Sequence, residues 1–123
     1  MAMRVLVTGS RDWTDRRVIY DALDRFHGES ERIEAIIEGG ARGADRIARQ
    51  WGAGRGLPVL TIEANWSFYS GNAGHIRNGW LLKYGQPDLV LAFPLPQSKG
   101  TWDMVKQAMA ARVKVSVERD VEA

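Results

Sequence analysis

The chain contains no cysteine, which excludes disulfides and thiolate metal sites. Only two histidines occur, His27 and His75, and they lack the spacing of a metal-ligand set, so neither a metal nor a cofactor is expected. Long apolar runs are missing too. None approaches the roughly 18 residues of a membrane span, and Met1-Ala2-Met3-Arg4 leads into a strand without the apolar core of a signal peptide. Charge of one sign is not in large excess either. Seventeen Lys and Arg against fifteen Asp and Glu leave a net charge of +2. The sequence pI near 9.2 rests on that small surplus, which makes no basic stripe of the kind nucleic-acid binders carry. The expectation is a cytoplasmic protein without membrane or nucleic-acid partners.

What is present is a repeated unit. Short apolar runs over 4–8, 34–38, 58–62, 88–93 and 113–117 read as strands. Each of the first four leads into a polar or glycine-bearing loop and then a stretch of helical periodicity. Val18, Ile19, Ala22, Leu23 and Phe26 share one helical face behind a cap at Thr14 or Asp15, and Gly28 ends that helix. Ala44, Ile47, Ala48 and Trp51 make a second stripe, ended by Gly52, Gly54 and Gly56. A third helix is predicted over 73–84 and a fourth over 101–112, where Thr101, Val105, Ala108 and Met109 define the inner face. Segment 63–72 reads as a long polar and aromatic loop, a length often associated with function. The 123 residues therefore predict one α/β domain over 1–118 with a polar tail over 119–123.

In open parallel sheets ligands bind beyond the carboxyl ends of the strands, and here those ends carry the glycines, arginines and small hydroxyls. Gly9 and Ser10 follow the first strand. Gly39-Gly40-x-x-Gly43 follows the second, and Gly100-Thr101 opens the last helix. Such glycines either make tight turns or let a helix N-terminus approach a phosphate. Two such loops on one sheet edge favour the second reading, although neither has the Walker or dinucleotide pattern. Arg77 falls on the inner arc of its helix with Ala73, Ile76, Trp80, Leu81 and Tyr84, so it must find a carboxylate, the open sheet edge or a route to water. Asn78 falls on the opposite side, as a surface or loop contact. Arg11 and Arg42 lie beside the glycines and are candidate anion contacts. Trp13 and Trp66 are loop aromatics that could stack on a base or cap the core. Trp51, Trp80 and Trp102 are assigned to packing. Asp45 sits in a first helical turn, either complementing the helix dipole or accepting a ligand hydroxyl.

These motifs, Val7-Thr8-Gly9-Ser10-Arg11, Glu38-Gly39-Gly40-Ala41-Arg42-Gly43-Ala44-Asp45, Ala73-Gly74-His75-Ile76-Arg77-Asn78, and Ala92-Phe93-Pro94 followed by Gly100-Thr101, resemble the YspA-like branch of the SLOG superfamily, in order and over nearly the whole chain. That superfamily includes the Lonely-guy phosphoribohydrolases, once called lysine decarboxylases, and the DNA-processing protein DprA. The resemblance implies a Rossmann-like three-layer domain and, with right-handed crossovers, a mostly parallel five-stranded sheet in the order 3-2-1-4-5. It also implies a nucleotide-derived ligand, of the ADP-ribose-like kind proposed for this branch, and raises a homodimer. The ligand-binding set it suggests joins the residues above with Pro94. The Lonely-guy enzymes carry PGGxGTxxE after the fourth strand. Here the double glycine is absent and the final glutamate falls on Met104. Arg77 corresponds to the arginine of those enzymes' preceding helix, and Asp103 is the nearest acid.

Three functions are compatible with these residues: binding or sensing of a nucleotide-derived ligand, N-glycosidic hydrolysis with Arg77 and Asp103 or Asp45 as catalytic groups, and a DprA-like nucleic-acid module. The missing glutamate counts against the second and the near-neutral charge against the third.

Overall fold

The computed structural model describes residues 2–28 and 30–119. Ten main elements follow in order: β1 (Ala2–Gly9), α1 (Arg16–Arg25), β2 (Arg32–Glu38), α2 (Ala44–Gly54), β3 (Val59–Thr61), α3 (Trp66–Tyr69), α4 (Ala73–Gly85), β4 (Leu89–Phe93), α5 (Lys99–Ala110) and β5 (Lys114–Val117). The strands form one sheet in the order β3-β2-β1-β4-β5. Each neighbouring pair is parallel. β1 is central, as predicted, so its C-terminal loop emerges at the middle of the sheet's carboxyl edge. There the order reverses and a crevice opens.

Side chains alternate along the strands and feed two apolar layers. Val5, Val7, Ile36, Leu89, Leu91 and Phe93 pack with Ile19, Leu23, Ile47, Ala48 and Trp51 of α1 and α2. Leu6, Ile37 and Val90 pack on the other face with Leu81 of α4 and with Met104 and Ala108 of α5. The helices stop and start where the sequence signals them. Asp15 caps α1 by accepting from the Arg17 amide. α4 ends on Gln86 in the left-handed region, followed by Pro87.

Several expectations need correction. The loop over 63–72 is not unstructured. Asn65 accepts from the Phe68 amide at 3.1 Å and nucleates α3, and a 3-10 turn over Ser70–Asn72 follows. On α5, Met109 is 65% exposed, and Met104 takes the inner place assigned to it. Trp102 and Tyr84, assigned to packing and to the inner arc, are exposed, whereas Trp51 is sealed. Glu118, at the predicted end of the domain, is tied down. Its amide donates to the Ala92 carbonyl and its carboxylate pairs with Arg25. Past Arg119, the predicted tail lies outside the described residues. Among the described residues no helix is long and apolar enough to cross a membrane.

Candidate functional site

The loops after β1, β2 and β4 and the first turns of α4 and α5 meet at the carboxyl edge of the sheet. They enclose a cavity of about 290 Å³, lined among others by Gly9, Ser10, Arg11, Asp45, Trp66, Arg77, Asn78, Gly100 and Thr101. A second lobe of about 480 Å³ is lined by Gly39, Gly40, Arg42, Arg46, Glu63 and Ala64, and it shares Arg11, Ala41, Trp66 and Arg77 with the first. Four separate loops thus converge on one divided cleft.

Gly9 is dictated by packing. A Cβ there would lie 2.5 Å from the Ala44 Cβ and 2.8 Å from the Phe93 carbonyl oxygen, so only glycine lets α2 and β4 close on the end of β1. Gly43 makes the turn into α2 at φ +76, with its Cα against the Ser10 and Arg11 carbonyls. It shapes the cleft without lining it.

The glycine-rich loop after β2 departs from the phosphate-cradle reading. Its amides already have acceptors within the protein. Asp45 Oδ2 takes the Gly39 amide at 3.1 Å and the Ala41 amide at 3.4 Å. Glu38 Oε1 takes the Gly40 amide at 2.7 Å. Two acids therefore stand where an anion was expected. Glu38, which the sequence reading passed over, is fully buried at the end of β2. It also accepts from the Thr61 hydroxyl and has Arg49 at 3.8 Å. An acid closing an apolar strand and preceding Gly-Gly was the available signal for it.

Asp45 is 6% exposed. Burial, reinforced by the charge of Glu38, pushes its carboxyl up to about 7, against the pull of Arg77 and its two amide donors. Its other oxygen, Oδ1, has no hydrogen-bond partner among the described residues. Among the described residues no buried side-chain oxygen or nitrogen is both sealed and unpartnered, so Oδ1 reaches the cavity that Asp45 lines.

Arg77 reaches the sheet edge from α4, the outcome its place on the inner arc allowed. Its Nη1 donates to the Gly39 carbonyl at 2.8 Å and its Nε to Asn78 Oδ1 at 3.0 Å. Burial lowers its pKa from the ordinary arginine value, and the charge of Asp45 opposes that. Asn78 corrects the sequence reading, because it is buried. Its amide nitrogen donates to the Gly100 carbonyl at 3.2 Å and to Asp103 Oδ2 at 3.0 Å. The helical wheel failed because α4 packs against both the sheet and α5, so it has two inner faces.

Asp103 lies behind Asn78 and does not line the cavity. Burial acts to raise its carboxyl, but hydrogen bonds from His75, Asn78 and Gln107 prevail and hold it below the ordinary aspartate range. This geometry positions Asn78 and, through it, Arg77. Trp13 is a core residue. It packs edge-on against Phe93 with centroids 5.6 Å apart, and its Nε1 donates to the Asp15 carbonyl. Pro94 is buried and lines neither lobe. Trp66 is 49% exposed, with the Arg11 guanidinium 5.7 Å from its ring centroid. Gln97, Ser98 and Lys99 complete the first lobe, and no motif had singled them out. Among the described residues no group of acids and histidines could hold a metal ion.

Comparison with known proteins follows the same edge of the sheet. The model of the YspA, cpYpsA-related SLOG family matches residues 3–69, more than half of the chain. The chain belongs to this family. The match runs from β1 through α3 and so takes in the Gly9-Ser10 and Gly39–Gly43 loops and Trp66, whereas Arg77 and the Gly100-Thr101 loop lie beyond it. The SLOG chain is also similar to the Gene 61 protein of Mycobacterium phage D29, 38% identical over 118 residues that span 91% of this chain and 93% of the phage protein. Its fold resembles the crystal structure of DNA processing protein A (DprA) from Streptococcus pneumoniae, with a TM-score of 0.71 and 16% identity over 93% of this chain. The SLOG chain spans 49% of that DprA chain, and at such identity the likeness is one of fold.

Proposed function

We propose that this SLOG domain binds a nucleotide-derived ligand, an ADP-ribose-like molecule or a nucleoside phosphate, with its phosphate at the start of α5. One observation carries the reading. The Thr101 residue is only 4% exposed, and its hydroxyl has no hydrogen-bond partner among the described residues; because no sealed side-chain oxygen among them is left unpartnered, that hydroxyl opens onto the cavity it lines. No side chain caps the first turn of α5; the Lys99 and Trp102 amides donate to the Gln97 and Ser98 carbonyls, which leaves the Gly100 and Thr101 amides without an acceptor among the described residues. A hydroxyl that opens onto the cavity beside an uncapped helix N-terminus, facing Arg77, is a set of donors without an acceptor. A phosphate satisfies all of them and is favoured by the helix dipole.

The anion is therefore assigned to the α5 side and not to the glycine loop after β2, whose amides are occupied. The inward oxygen of Asp45 suits a ribose hydroxyl, and the exposed face of Trp66 suits a base. Arg77 contributes positive charge, held in place by Asn78.

Calorimetry with AMP, ADP-ribose and NAD tests the reading. At least one should bind. Arg77→Ala should weaken binding by about 1.5–3 kcal/mol, the range for a charge-assisted hydrogen bond. Thr101→Val, nearly isosteric, should lose about 0.5–1.5 kcal/mol for one neutral donor. Unchanged circular dichroism would show that the fold survives. Absence of binding to all three would sink the proposal.

A further inference from the structure

The second lobe of the cleft is more cationic than one phosphate requires. Its walls carry Arg11, Arg42, Arg46 and Arg77, against the single carboxylate of Glu63. Nearby acids offset part of this charge, at Arg42 and Arg77, but leave Arg11 and Arg46 unpaired among the described residues. Asp12 is engaged by Arg42 at 3.4 Å. Glu38 holds the Gly40 amide and faces Arg49. Asp45 is turned toward the Gly39 and Ala41 amides. Arg11 has only the Trp66 ring as a partner, and neither Arg11 nor Arg46 has a carboxylate within ion-pair distance among the described residues. Clustered arginines without acids gain most from an anion. Trp66, which belongs to both lobes, provides an apolar face between them.

We infer that the lobe bounded by Arg11, Arg46 and Trp66 is a second anion subsite, and that the ligand is a nucleotide carrying two separated anionic groups. This rests on the reading that the first phosphate lies at the start of α5. The nucleoside passes Trp66, and the second anionic group meets Arg11 and Arg46. Arg46 projects from the first turn of α2, where it is exposed. Its replacement removes charge without opening the core.

Adenosine 3′,5′-bisphosphate and AMP, titrated calorimetrically into the full chain, separate the two sites. The bisphosphate should bind about tenfold more tightly than AMP, as one added charge-assisted contact allows. Arg46→Glu should abolish that preference. Thr101→Val should weaken both ligands by a similar factor. Equal affinities for the two ligands in the wild type, or a preference that survives Arg46→Glu, would overturn the second subsite while leaving the first intact. No binding of either ligand would overturn the first site and the second with it. A single-stranded oligonucleotide series provides the remaining outcome. If affinity keeps rising with each added nucleotide, the lobe tracks a nucleic-acid strand, and the small-ligand inference is wrong.

Discussion

Gly43→Ala should destabilise the protein by about 3–5 kcal/mol, the sum of backbone strain and steric displacement. Gly43 stands at φ +76 and ψ −130, a conformation that L side chains rarely adopt. A Cβ there would also lie 2.4 Å from the Ser10 carbonyl oxygen and 2.5 Å from that of Arg11. Both are backbone atoms and cannot swing aside. The Ser10 carbonyl accepts the Ala44 amide at 3.1 Å, so relieving the clash would pull the β1 loop from α2. Gly56 provides the control. It too has positive φ, at +70, but a Cβ there meets nothing within 4 Å, so Gly56→Ala should lose only about 1–2 kcal/mol. Urea unfolding of both variants separates strain from contact. Similar losses would show that the approach of Gly43 to Ser10 is unimportant.

The second large effect is a pH dependence set by Asp45. Its carboxyl rises from 3.8 to about 7 on folding, so the native state holds a proton that the unfolded state releases. The stability linked to that proton is fully present below pH 3.8 and is lost as pH rises toward 7. The difference corresponds to about 4 kcal/mol. Asp103, whose carboxyl is lowered, acts in the opposite sense and only at more acidic pH. Wild-type protein should therefore be about 2–3 kcal/mol less stable toward urea at pH 8 than at pH 5. Asp45→Asn should flatten this slope and be the more stable protein at pH 8. An asparagine oxygen can still accept from Gly39 and Ala41, and its amide would face the cavity where Oδ1 stood. An unchanged slope in the variant would show that Asp45 is not the titrating group.

Much of this architecture was legible because it rests on local rules. The apolar runs, their spacing and the helical stripes of α1 and α2 identified the strands, the helices and the parallel sheet. The motifs running from Val7 to Thr101 gave the family and the strand order. Arg77 was found because a charge on an inner helical arc needs an exit, and the open end of the sheet provides one. The misreadings have identifiable causes. Helical periodicity assumes one buried face, but α4 lies between the sheet and α5, so the flank turned to α5 is also inside, and Asn78, hydrogen-bonded to the neighbouring Arg77, is buried there. α5 turned by about one position relative to the predicted face, exchanging Met109 for Met104. Trp13 was placed in a loop by sequence position and drawn into the core by Phe93, a residue far along the chain.

Sequence alone determined the strands, the main helices, the layering and the edge of the sheet where chemistry collects, because these follow from periodicity and from the glycines and hydroxyls that end each strand. Only the tertiary structure decided which donors are free. The amides of Gly39, Gly40 and Ala41 looked like an anion cradle until Asp45 and Glu38 were seen to occupy them. Thr101 looked like one hydroxyl among several until it proved to be held in the cavity wall with its hydroxyl unpartnered and open to the cavity. A hydrogen bond joins two groups, and whether a donor is already satisfied depends on where folding brings its acceptor, which no spacing along the chain records.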